Sequence, residues 1–473
     1  MDNNTKFARV PGRLVMLGFG CIGQAVLPLL LRHLELEPND VTIISAGDDG
    51  AEIARAHSVR LAVQRLGIEN YGDVLEPLLG PGSLLVNLSV GIASKALIEL
   101  CQQRGALYLD TCAEPWPGQY FDSSHPPSWR SNYALRESVL SLRERRPQGP
   151  TAVITMGANP GLVSIFTKLG LLQMARDSGI GRPAKPTEPG QWARLAQQLG
   201  IKTIHIAERD TQVPSRRKER GEFVNTWSVA GFIAEGLQPA ELGWGTHERH
   251  WPEDAERHGF GGGAAIYLNR PGASTRVRSW TPLEGPYEGY LITHSEAISL
   301  SDHLTLKADG RVVYRPTVHY AYHPCDDALL SMHEMAGKQW EPQRRLRIIR
   351  DDIVSGMDEL GVLLMGNERG AYWYGSRLSI EHARALVPYN NATSLQVAAG
   401  VLAGVVWALR HPEAGIVEPE DLDPEEIMSL ARPYLGDVVG VYTDWTPLEG
   451  RERLFSEDID RDDPWQFKNV RVC

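Results

Sequence analysis

Three glycines, Gly18-x-Gly20-x-x-Gly23, follow directly on the apolar run Leu14–Leu17 and lead into an apolar stretch from Ile22. Read as strand, turn and helix, this spacing has a defined chemistry. The first glycine allows a tight turn and the second lets backbone approach a pyrophosphate. The third lets helix pack closely on strand. The N–H groups at the start of the helix then face the anion.

A second set of residues has the types needed for amine chemistry. Glu114 lies in Asp110-Thr111-Cys112-Ala113-Glu114-Pro115-Trp116, and Glu208 opens Glu208-Arg209-Asp210-Thr211-Gln212. Trp227 stands eight residues before Glu235, so in a helix the two would share a face two turns apart. His294 follows Thr293, and Asp358 adjoins Glu359. Carboxylates pair with or deprotonate amines, imidazole relays protons, and an indole face attracts a cation. Taken singly, each has a plainer reading as a solvated acid, a core tryptophan or a structural histidine. His319-x-x-x-His323-Pro-Cys325-Asp326 holds ligand-type residues without zinc-site spacing, so no metal is expected. Residue types and spacing by themselves lead to an NAD-dependent oxidoreductase and stop there.

Positioning these residues requires strand ends. Apolar runs at 14–17, 41–45, 84–87, 107–110 and 152–155 alternate with helical stretches at 22–33 and 93–103. The pattern predicts an α/β fold: a Rossmann, doubly wound parallel sheet, with ligands at the carboxyl ends of the strands. Those ends carry Asn87, Ser89 and Val90, then Thr111, Glu114 and Pro115, then Ala158, Asn159 and Pro160. With Gly18, Phe19, Gly20, Cys21, Ile22 and Gly23 they form the expected cofactor site. Asp48 or Asp49 is the candidate partner for a ribose 2′-OH, and no Arg stands immediately after that strand, which favours NAD over NADP. After a Pro/Gly-rich loop at 180–189, runs at 203–207, 264–268, 290–293 and 312–314 predict a second α/β domain with a mixed, largely antiparallel sheet. Helices are expected at 227–235 and 326–334. The resulting division is 1–160, 161–385 and a C-terminal extension 411–473. An apolar helix over 395–409, capped by Thr393 or Ser394 and too short to span a bilayer, packs back on the first domain.

Composition narrows the class. The 473 residues carry a net charge of −11, which argues against nucleic acid. No secretory start is seen. The five cysteines (21, 101, 112, 325, 473) lack disulfide or zinc spacing, so a cytoplasmic protein is expected.

Taken together, VMLGFGCIGQAVLPLL (15–30), NLSV (87–90), DTCAEPW (110–116), GANPGLVS (157–164), AERDTQ (207–212), FVNTWSV (223–229), THSEAISLSD (293–302), DELGVLLMG (358–366) and NNATSLQVAAGVLAG (390–404) span nearly the whole chain. This set resembles the bacterial homospermidine synthases of the saccharopine-dehydrogenase-like group. The resemblance implies a homodimer assembled through the second domain, and tightly held NAD that is regenerated each cycle. It implies that two putrescines yield homospermidine and ammonia (putrescine plus spermidine yields 1,3-diaminopropane instead). The route is hydride abstraction, imine formation and re-reduction. It implies catalytic roles for Trp227 (cation–π platform), Glu208 and Glu235 (amine holding or deprotonation), His294 (orientation or proton relay) and Asp358 (distal ammonium anchor). Asn159, Glu114 and Asn225 would contact substrate. The family pattern has an acid after NLSV, where this chain has Gly91. Two other readings compete: a saccharopine or carboxynorspermidine dehydrogenase, which needs a cation such as Arg209 for a substrate carboxylate, and a non-catalytic NAD sensor.

Overall fold

A computed structural model describes residues 5–179 and 185–472. The loop expected at 180–189 lies partly outside these residues, as does Cys473, and Pro189 already opens a helix, Pro189–Gln198. Six strands, β1 (Leu14–Leu17), β2 (Val41–Ser45), β3 (Arg60–Val63), β4 (Leu84–Asn87), β5 (Leu107–Asp110) and β6 (Gly149–Val153), join Ala414–Val417 in one all-parallel sheet. The order is 414–417, β6, β5, β4, β1, β2, β3. The chain moves one way from β1 through β3, then returns at β4 to the other side of β1. The crevice between the ends of β1 and β4 is therefore the switch point at which such sheets bind ligands. β1 and β4 are buried throughout, as expected for strands covered on both faces.

Six helices matter for the site: α1 (Cys21–His33), α2 (Asn132–Arg145), α3 (Leu162–Asp177), α4 (Val229–Leu237), α5 (Ser295–His303) and α6 (Ala392–Arg410). A second, ten-stranded mixed sheet contains β7 (Thr203–Asp210), β8 (Pro239–Gly243), β9 (Thr317–His323), β10 (Met357–Asn367), β11 (Gly370–Ser379) and β12 (Asp437–Thr443). β9 and β7 pair in parallel, and β10 runs antiparallel to β7. The predicted fold class, a doubly wound parallel sheet beside a mixed sheet, is what the chain adopts.

Several local expectations shift. The segment 411–473 is no simple extension: Ala414–Val417 completes the parallel sheet and β12 forms an edge of the mixed one. Trp227 precedes α4, whose N-cap is Ser228. The strand expected at 290–293 ends at Tyr290, and His294 is the N-cap of α5. The apolar helix α6 begins at Ala392, capped by Asn391, whose side chain accepts from Ser394 N at 2.7 Å. At 19 residues it is long and apolar enough to cross a membrane, contrary to the expectation of too short a run. However, 89% of its apolar window is buried inside the protein, where it packs on α1 and the parallel sheet.

α6 also explains how one active-site loop is held. A Cβ on Gly400 would lie 2.0 Å from Gly157 O, and one on Gly404 would lie 2.6 Å from the Met156 side chain. The two glycines let the helix backbone press directly on the Met156–Gly157 turn, and so fix the Ala158-Asn159-Pro160 segment that follows.

Candidate active site

Two adjoining cavities open at the switch point and share Ile22, Leu88, Ser89, Val90 and Ser228. The outer cleft is lined by the glycine loop. Gly18 adopts φ +83°, and a Cβ there would strike Leu88 O at 2.6 Å. A Cβ on Gly23 would strike Gly18 O at 2.5 Å, so this residue works inside the turn and does not line the cleft. Gly20 faces open space. The first turn of α1 carries no acid and no side-chain cap, so its N–H groups remain available to an anion. Each glycine thus has the environment its motif position requires.

At the far end of the cleft stand Ser45, Ala46, Gln64, Arg65 and Leu66. Asp48 and Asp49 are exposed and line neither cavity. The ribose role anticipated for them is therefore not supported by their position.

The inner chamber gathers residues from both domains. Asn87, Thr111, Cys112, Glu114, Ala158, Asn159 and Pro160 come from the parallel sheet. Glu208, Trp227, Glu235, His294 and Tyr320 come from the other. Residues as far apart in sequence as Ile22 and Val397 thus meet in one space. Glu208 leaves β7 pointing into this chamber, and its Oε2 accepts from Asn159 Nδ2 at 2.6 Å and from the Tyr320 hydroxyl. Burial drives the Glu208 carboxyl up to about 8 and nearby Asp210 adds to the rise, whereas the Tyr320 and Asn159 donors oppose it. Glu114 accepts from Gly91 N at 3.3 Å and is likewise raised to about 8, first by burial and then by Glu235 and Asp110.

His294 sits between two carboxylates, with Nε2 at 3.3 Å from Glu235 Oε2 and Nδ1 at 3.1 Å from Glu296 Oε1. Burial opposes its charge, but Glu296 and Glu235 outweigh burial and hold the imidazole well above its ordinary pKa. Its ring lies 4.4 Å from that of Tyr320. The Trp227 indole donates to Tyr322 OH at 3.1 Å, which fixes the orientation of its face. Tyr320 and Tyr322 stack at 5.2 Å.

Besides Gly23, three anticipated contacts fall outside both cavities. Asp358 is fully buried behind Thr393, which lines the chamber and whose hydroxyl donates to Asp358 Oδ2 at 2.6 Å. Burial, with Glu208 and Asp210 adding to it, holds the Asp358 carboxyl well above the usual range. Asn225 is fully buried two residues before Trp227. Pro115 lines a separate hollow beside Trp116.

Tyr320, Tyr322 and Glu296 escaped notice in the sequence, and Thr393 was read only as a helix cap. The signal for the tyrosines was strand alternation: Tyr320 and Tyr322 share one face of β9, and Tyr322 is in register with Glu208. His319 points to the opposite face, where it meets His205 at 4.1 Å between rings. Among the described residues no His/Cys/Asp/Glu group is arranged to hold a metal ion.

The saccharopine dehydrogenase NADP binding domain model matches residues 14–153, and the saccharopine dehydrogenase C-terminal domain model matches residues 157–441. A homospermidine synthase of Blastochloris viridis is 55% identical, with 98% of each chain covered. One from Mesorhizobium japonicum is 48% identical over 100% of this chain and 98% of its own. This chain belongs to the homospermidine synthase family. The crystal structure of the homospermidine synthase from Legionella pneumophila in complex with NAD superposes with a TM-score of 0.92 at 52% identity, covering 98% of both chains. Family membership agrees with a chamber lined by acids. Neither Arg nor Lys lines it among the described residues, and Arg209 turns away to the carbonyls of Asp210 and Pro324.

Proposed function

We propose that the chain is an NAD-dependent homospermidine synthase that condenses two putrescines, or putrescine and spermidine, with loss of ammonia or 1,3-diaminopropane. The observation that carries this reading is the inner chamber: an indole face, the carboxylates of Glu114, Glu208 and Glu235, and, among the described residues, no lining cation but His294. A diamine is a dication, and this chamber matches its charge. A substrate carboxylate, as the dehydrogenase reading requires, would meet acids there.

The glycine loop and the first turn of α1 would hold the NAD pyrophosphate, and Thr111, Ala158 and Asn159 stand where its ring end would lie. When bound, NAD supplies the hydride acceptor and donor that let an amine carbon be oxidised and later reduced with no net redox change.

The residues supply proton handling and charge. Near neutral pH Glu208 and Glu114 lie close to their titration points, as a general base should. Glu208 Oε2 is occupied by Asn159 and Tyr320, so Oε1 is the atom left to take an amine proton. Trp227 offers its face to cationic nitrogen, worth about 2 kcal/mol when desolvated. Glu235 holds an ammonium against His294, and Asp358 acts through Thr393 at the deep end. Burial by both domains keeps water from the imine carbon.

The family resemblance supports assembly as a homodimer in the cytoplasm; light scattering on the purified chain tests the dimer. The reaction itself is tested with protein, putrescine and NAD at a tenth of the substrate concentration. Homospermidine and ammonia should each exceed the NAD added. Stoichiometric NADH without homospermidine would favour a dehydrogenase, and NAD binding with no turnover a sensor.

A further inference from the structure

We propose that Glu241 is a positioning residue for the reaction: it joins the first turn of α2 to Thr293 and so sets His294 opposite Glu235. This rests on the reading of the inner chamber as the diamine site.

Glu241 lines neither cavity. It is a fully buried acid in the middle of β8, where such a group is tolerated only if its oxygens are occupied. Side chains alternate along a strand, so Glu241 and Gly243 share one face of β8. That face carries α5, since a Cβ on Gly243 would strike Ser301. From there the Glu241 carboxyl meets the other domain. Its Oε2 accepts from Asn132 N at 2.8 Å and its Oε1 from Tyr133 N at 3.2 Å. These are the first two residues of α2, and the N–H of the third, Ala134, donates to the N-cap Ser131 at 3.2 Å. The positive end of a helix in one domain is thus closed by an acid of the other.

The same carboxyl reaches the edge of the chamber. Glu241 Oε2 also accepts from the Thr293 hydroxyl at 2.6 Å, and Asn132 Nδ2 donates to that hydroxyl at 3.1 Å. Thr293 is fully buried and directly precedes His294, the N-cap of α5. One hydroxyl therefore has both its donor and its acceptor fixed at the domain boundary. One peptide bond away, the imidazole stands 3.3 Å from Glu235 and 3.1 Å from Glu296. In the last turn of α5, Asp302 accepts from Arg136 Nη2 at 3.0 Å, one turn along α2. α2 grips α5 at both ends, and the Glu241 contact is the one beside the site.

Rates with putrescine are measured on the full chain and divided by the NAD bound per chain, so that unfolded molecules do not count. Thr293→Val keeps Glu241 on α2 and cuts its link to His294. Its kcat/KM per bound NAD should fall about tenfold or more, with NAD affinity within about twofold of wild type, because a small misplacement of a site group suffices for such a loss. Thr293→Ser restores the hydroxyl and should return to within about threefold of wild type. Glu241→Met removes all three contacts and should lose at least as much as Thr293→Val. Adding Thr293→Val to it should cost less than about twofold more, since both act through one link. Unchanged turnover in Thr293→Val, or equal losses in Thr293→Val and Thr293→Ser, would overturn the proposal even if Glu241→Met failed to fold. Fully multiplicative losses in the double variant would do the same. Wild type that binds NAD but turns over no putrescine would remove the reading of the chamber, and this proposal with it.

Discussion

At the scale of single residues, the site is a balance between burial and charge. Glu208 and Glu114 are each raised to about 8, so a large share of them is protonated at pH 7 before an amine arrives. An ammonium ion beside them lowers that pKa again and expels the protons. Putrescine binding at pH 7 should therefore release about one to two protons, measured by calorimetry in two buffers of different ionisation enthalpy, and Glu208→Gln should lower the release by about one. Binding without release would place these carboxylates away from the amines. Trp227 has a parallel test. Trp227→Ala should cost about 30-fold or more in kcat/KM, and Trp227→Phe less, since a weaker π-face remains. Equal losses would assign the effect to the indole N–H on Tyr322 instead. Trp227, Glu208, Glu235 and His294 were legible as reactive types, and the fold brings all four to one chamber. Glu296, which with Glu235 keeps His294 charged, was not legible, because an acid two residues from a histidine has no recognisable spacing.

Elements decide which of these residues meet. The parallel strands were readable because short buried apolar runs between helices have few alternatives, and β1, β2, β4 and β5 lie at the predicted residues. Boundaries set by tertiary contacts were less readable. The expected helix 227–235 starts instead at Val229, which leaves Trp227 in the approach to α4, where it turns its ring into the chamber. The small residues of α6 have a comparable consequence. Gly400→Ala would force a Cβ into the Gly157 carbonyl, so the helix or the Ala158–Pro160 loop must move. The expected cost is about 1–3 kcal/mol in chemical denaturation. NAD affinity should fall with it, since the displaced loop stands at the ring end. Unchanged NAD binding in a destabilised variant would separate α6 from the site.

Across the whole molecule, the buried acids impose a pH dependence on folding. Glu208 and Glu114 are raised to about 8, and Glu241 and Glu420 to about 7, all from 4.5. Between these limits the unfolded chain has lost protons that the folded chain keeps. Stability is then fullest below pH 4.5 as far as these groups are concerned, and is lost as pH rises toward 8. The ligand-free Tm should fall from pH 6.5 to pH 8, above the range in which buried His258, His303 and His319, held at about 3 to 4, oppose the carboxyls, and Glu208→Gln should flatten part of that slope. A Tm that is level or climbs from pH 6.5 to pH 8 would contradict the assignment. Glu334 and Asp460, held down at about 2, act only in more acidic solution and leave this window unchanged.

By itself the sequence determined the parallel sheet, the glycine turn and the reactive residue types, because each follows from local rules of chain geometry and side-chain chemistry. Only the tertiary structure decided that Ala414–Val417 completes the first sheet, that Asp358 stands behind Thr393, and that Glu241 meets the first turn of α2. Those outcomes depend on contacts between distant segments, where burial and strand register, not spacing along the chain, set what one group meets.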